Sequence, residues 1–168
     1  VGEARVGAEG IQLRGPGDEG VVLVADAHRE PEHPLLKTFL AVALFNQGMV
    51  DDAQALLEDV LRQNPHFDGV LPLLGWCLSS RGQHEQARAL VTDRVREIAT
   101  ADHDIAFWLA EFYAMEGMVE DALEWVRLAV RMGNENYPLI ARTPKLDTLR
   151  ADPRFAELVE ELRQRFEA

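Results

Sequence analysis

The chain has 168 residues, with 17 Lys and Arg against 29 Asp and Glu and a formal net charge of −12. That balance argues against nucleic acid, whose phosphates are held by clustered Lys and Arg, and disfavours an anionic membrane surface. No apolar run approaches the roughly 18 residues that span a bilayer and no signal-peptide pattern opens the chain, so a soluble protein without membrane insertion is expected. The length supports one continuous core. A lone Cys77 cannot form an internal disulfide, which fits a reducing, cytoplasmic compartment. It lies mid-helix in GWCLSS and reads as a small core residue. The chain opens on Val1, so it reads as a piece of something larger or a processed product.

Residues 1–33 form an N-terminal arm rich in Gly and acid. Two short β-prone runs, IQLR and VVLVA, flank the breaker GPGDEG, the pattern of a hairpin. Such a hairpin is marginal alone and needs to pack on the array or on a partner. VVLVADAHRE starting a helix, or the whole arm serving as a linker, are the other two readings. His28, Glu30, Glu32 and His33 make the closest approach to a metal cluster. No histidine pair has the i, i+4 spacing of a helical site, and no metal is expected.

From residue 34 a period takes over. Gly48 with Ala53, Gly82 with Ala87 and Gly117 with Ala122 repeat with the glycines 34 and then 35 residues apart. The copies run over residues 34–67, 68–101 and 103–136. Each begins with an apolar stretch (LLKTFLAVALF, VLPLLGWCL, IAFWLAEFYAM), turns through the glycine, and continues as a second apolar-periodic run. Ala53, Leu56, Leu57 and Val60 fall at helical spacing in that second run, as do Ala87, Leu90, Val91 and Val95, and Ala122, Val126, Ala129 and Val130. Glycine takes positive φ without a Cβ penalty and can close one helix before the next begins. The small alanine lets the second helix lie close to the first. Each copy therefore predicts a helix–turn–helix hairpin, and three in register predict a stacked array.

On these residues the chain resembles the tetratricopeptide repeat family. Leu74-Gly75 reproduces the family's Leu-Gly pair, Leu40-Ala41 and Leu109-Ala110 carry a small-residue variant, Tyr113 supplies the aromatic and Pro65 closes the first unit. Lys37 and Ala106 depart from the pattern, standing where a large apolar residue is usual. The resemblance implies an all-α, right-handed superhelical solenoid of three hairpins. In residues 137–168, Thr143-Pro144 and Asp152-Pro153 each read as an N-cap with proline at the first helical position. The last helix carries Phe155, Leu158, Val159, Leu162 and Phe166 on one face, as a capping helix needs. NYPLIARTPKLDTLRADPRF looks like the end of repeat arrays in multidomain bacterial signalling proteins. Fifteen Arg against two Lys, with abundant Ala, also suggests a GC-rich bacterial genome.

Nothing in the sequence supplies catalytic chemistry, and no catalytic residue or cofactor is expected. Asp102-His103-Asp104 reads as a loop and N-cap, Ser79-Ser80 lacks a nucleophile elbow, and GPGDEG lacks the lysine and helix of a phosphate cradle. What remains is surface. In the family the resemblance points to, the first helices line a concave groove. Carried onto this chain, the groove presents Leu35, Thr38, Val42, Phe45 and Asn46, then Pro72, Trp76, Ser79 and Ser80, then Asp104, Phe107, Glu111, Ala114 and Met115. Phe45, Trp76 and Phe107 form an aromatic ladder suited to anchoring a ligand. Thr38, Val42 and Ser79 stand where a carboxylate clamp would need Lys, Arg or Asn, so a neutral or basic ligand with apolar anchors is expected. The role implied is noncatalytic recognition of a peptide or partner protein, as a scaffold or regulatory module. A self-association module forming homo-oligomers and a small-ligand or peptide sensor are the alternatives. An open groove, or one filled by the N-terminal arm or C-terminal helix, both fit the sequence.

Overall fold

The turn glycines set the architecture. In the computed structural model, which describes residues 33–167, Gly48, Gly82 and Gly117 have φ of 80°, 74° and 72°. Around each, the residue after the glycine donates to a carbonyl five positions back: Met49 to Leu44, Gln83 to Leu78 and Met118 to Tyr113. That bond satisfies a carbonyl the helix end would otherwise leave orphaned. The hairpins are α1 (Pro34–Asn46) with α2 (Val50–Gln63), α3 (Leu71–Ser80) with α4 (His84–Leu90), and α6 (His103–Met115) with α7 (Val119–Arg131). Between the last two pairs lies α5 (Asp93–Ala99). Among the described residues there is no strand. Residues 1–32, with the expected hairpin or linker and with His28, Glu30 and Glu32, lie outside the described residues.

Stacking follows from the small residues. Ala53, Ala87 and Ala122 are fully buried, and α2 packs on α3 while α3 packs on α6. The close approach of α3 to α6 requires Gly75, where a Cβ would stand 2.7 Å from the Phe112 ring. Lys37, at a usual apolar position, spans α1 and α2 as an ion pair with Asp59 at 2.7 Å. The other departure, Ala106, is fully buried.

The second hairpin departs from expectation. Instead of one continuous second helix, the chain breaks at Val91, and Thr92 in extended backbone starts α5 by accepting the Val95 N–H. A threonine hydroxyl offers the backbone a local bond that competes with helix continuation. The break keeps Val91 and Val95 both in the core.

The C-terminal part adds α8 (Tyr137–Arg142), a 3-10 helix over Pro144–Leu149, and α9 (Pro153–Glu167). Asp152 caps α9 through the Arg154 N–H, as its place before proline predicts. The Thr143 hydroxyl does not cap the 3-10 helix; it donates instead to Glu111 on α6. The 3-10 helix packs on α6 and α7 with Leu146 and Leu149 buried, and α9 contributes Phe155 and Leu162 to the core. Phe166, expected on that same face, is exposed, with its ring 5.6 Å from Tyr137.

Candidate functional site

Residues from all three hairpins converge on one side chain of the C-terminal segment. The Lys145 ammonium lies 4.4 Å from the centre of the Trp76 ring on α3 and 5.7 Å from that of Phe45 on α1. It donates to Asn46 Oδ1 at 2.7 Å and sits 3.3 Å from the Glu111 carboxylate of α6. Phe45 and Trp76 are themselves in ring contact at 5.5 Å. Aromatic faces attract a cation most strongly when water is excluded, and the Lys145 side chain is only 9% exposed. Glu111 is 2% exposed and accepts the Thr143 hydroxyl at 2.8 Å. Burial pushes its carboxyl up to about 7, against the opposing pull of the Lys145 charge and the Thr143 bond.

This convergence decides where the candidate groove residues stand. The structure buries Thr38, Trp76, Ser79, Phe107 and Glu111 within the array instead of presenting them to a ligand. Each has a partner or packing role there. Thr38 donates back to the Pro34 carbonyl, Trp76 Nε1 donates to the Trp108 carbonyl, and Ser79 donates to Glu116. Phe107 packs in the core at 2% exposure, so the aromatic ladder narrows to the Phe45–Trp76 pair. Val42, Phe45 and Met115 are half-buried, and Asn46 and Ser80 are exposed. On this face the 3-10 segment places Lys145 over Phe45 and Trp76.

Sequence reasoning missed Lys145, Phe39 and Trp108. Phe39 is 51% exposed and makes an edge contact with Trp108 at 6.1 Å, tying α1 to α6. Its signal was legible in LLKTFLAVALF, a stretch apolar on every side. A helix of that kind keeps an uncovered face unless something packs on it. Leu35, Leu36 and Leu40 are exposed beside Phe39.

Elsewhere polar groups serve the array. The Glu116 carboxylate is shielded, which would raise its pKa. Bonds from Ser79 and His84, with Arg88 at 3.0 Å, hold it below the ordinary range. Asp102 caps α6 by accepting from the Asp104 and Ile105 N–H groups. Burial pushes the Cys77 thiol up to about 12, so it stays protonated and inert near neutral pH. No group of three or more His, Cys, Asp or Glu side chains converges among the described residues, and no helix there is long and apolar enough to cross a membrane.

Family models of the tetratricopeptide repeat match residues 18–67 and 47–97, and a further one matches residues 105–127. Neither a curated protein nor a solved structure matches the chain.

Proposed function

The chain belongs to the tetratricopeptide repeat family, whose arrays mediate protein–protein interaction, and on that premise we propose that it is a noncatalytic module recognising a partner protein on the side of its first helices. The observation that carries this reading is the exposed edge of that side, where Phe39 stands against Trp108 beside the half-buried Val42 and Phe45. The ligand is a neutral or basic segment with apolar anchors. Aromatic side chains anchor interfaces because they bury much area at low entropic cost, and a net charge of −12 favours a basic approach. Because Lys145 fills the floor, the partner engages the edge and not Trp76 or Phe107.

The test is capture of the partner from source-cell extract, followed by titration of the captured protein against the unmodified chain and Phe39→Ala. Phe39 is exposed, so the variant is expected to fold normally and to lose at least roughly tenfold in affinity, as an interface anchor does. Equal affinity for both proteins would remove the edge from the interface. Self-association is favoured by one further observation, the exposed Leu35, Leu36 and Leu40. It predicts a mass that rises with concentration and a return to monomer in Leu36→Glu.

A further inference from the structure

One stripe of α1 is left uncovered. Leu35, Leu36, Phe39 and Leu40, at i, i+1, i+4 and i+5 along the helix, are between 37% and 51% exposed. The first helices of the later hairpins have neighbours on both sides. α3 lies between α2 and α6, and α6 lies between α3 and the 3-10 helix. α3 thereby buries seven of its ten residues and α6 eight of its thirteen, whereas α1 buries three of thirteen. Yet α1 is as apolar as they are, with Lys37 as its one charged residue. A helix apolar all round is one suited to burial on every side. The described residues begin at His33, so whatever precedes α1 in the stack lies outside them.

The chain itself supplies a matching segment. Residues 21–25, VVLVA, are apolar and uncharged, and the eight residues 26–33 join them to the first turn of α1. Eight residues reach about 26–29 Å when extended, more than the roughly 20 Å length of α1, so the run can be laid against any part of the stripe. Gly20 with Ala25 repeats the spacing of Gly48 with Ala53, and the match to the repeat family extends back to residue 18. A segment tethered this closely has an effective concentration in the millimolar range. A second copy would need that concentration to compete, and would bring a net charge of −12 against an equal −12. We propose that residues 21–25 dock on the stripe of Leu35, Leu36, Phe39 and Leu40 within the same chain, as the element that precedes α1 in the stack. A partner engaging Phe39 does so in competition with this segment, but the docking itself does not rest on that partner.

The test places a nitroxide on the full chain at Asp26→Cys, beside the apolar run and outside it, and follows the methyl resonances of the leucines. Cys77 is buried and stays unlabelled. Leu35, Leu36 and Leu40 are expected to broaden, while Leu139, comparably exposed on α8, should not. Placing charge in the run by Val22→Asp/Val24→Asp should remove most of that broadening, because a carboxylate buried without a partner is costly. Circular dichroism checks that the hairpins of this variant remain folded. Leu36→Ser, read at Leu35 and Leu40, carries the same comparison from the α1 side. Equal broadening in the variants would reduce the effect to tethering and overturn the proposal. Nitroxide-bearing chain mixed with isotope-enriched chain that lacks the label should show no broadening; broadening there would assign the stripe to a second copy and overturn it. No broadening in any sample would leave the stripe to an outside partner and equally overturn it.

Discussion

Glu111 is the residue at which burial and charge compete most directly. Its carboxyl titrates near 7 in the folded chain against an ordinary value of 4.5, because desolvation outweighs the Lys145 charge. Between those values the folded state holds a proton that the unfolded chain releases. The Glu111 contribution is therefore fully present below about pH 4.5, falls as pH rises towards 7, and is lost above it, with an upper size of about 3 kcal/mol. Urea unfolding of the unmodified chain and Glu111→Gln at pH 5 and pH 8 isolates it, since the other groups titrate alike in both proteins. The variant should lose less stability over that interval; parallel pH profiles would place the carboxyl's titration outside it. Trp76 makes a complementary case. At 1% exposure, with its indole N–H on the Trp108 carbonyl, it is a structural residue, and Trp76→Ala should cost about 3–5 kcal/mol by thermal or chemical unfolding. A variant of native stability would contradict that burial.

At the scale of elements, two kinds of glycine do different work. A methyl group added at Gly82 would meet nothing within 4 Å, so the requirement there is positive φ alone, and alanine should cost about 1 kcal/mol. Gly75 is helical, and alanine would raise its helix propensity by up to about 1 kcal/mol. The added Cβ, however, meets the fully buried Phe112 ring at 2.7 and 2.8 Å, and overpacking of a closed core costs typically about 1–3 kcal/mol. The clash wins, so Gly75→Ala should lower the melting temperature even though it improves the helix; an unchanged or raised melt would show that α3 and α6 can part freely. The turn glycines and the Ala53, Ala87 and Ala122 contacts were legible because they recur at one period. The break at Val91–Thr92 was not, since apolar spacing continues through it and only the local competition of the Thr92 hydroxyl marks it. The short α8, over Tyr137–Arg142, was equally hidden, because six residues are too few to show a period.

At the scale of the molecule, periodicity revealed the hairpins but not what lies over them. The side of the first helices was legible through Phe45, Asn46 and Trp76, whereas its filling by Lys145 depends on a contact between residues 46 and 145 that no local pattern encodes. That contact sets this array apart from a chain of nearest neighbours. In a solenoid each repeat gains stability from the repeats it touches, so an end repeat frays independently of the far end. Here Lys145 donates to Asn46 in the first hairpin while pairing with Glu111 in the third, so the C-terminal segment restrains the opposite end. Asn46→Ala cuts the hydrogen-bonded link to the first hairpin and leaves the Lys145 contact with Phe45, together with Glu111, Trp76 and the core, in place. Amide hydrogen exchange should then quicken in α1 and α2, by roughly the tenfold that a lost charge-assisted bond of about 1.5 kcal/mol implies. Exchange in α6 and α7 should stay unchanged. Uniform protection in both proteins would mean that the Asn46 bond adds nothing to the hold that α2, α3 and the Phe39–Trp108 and Phe45–Lys145 contacts already give α1. Selective loss in the first hairpin would establish that the C-terminal segment, besides capping its own end, holds the three hairpins at one spacing.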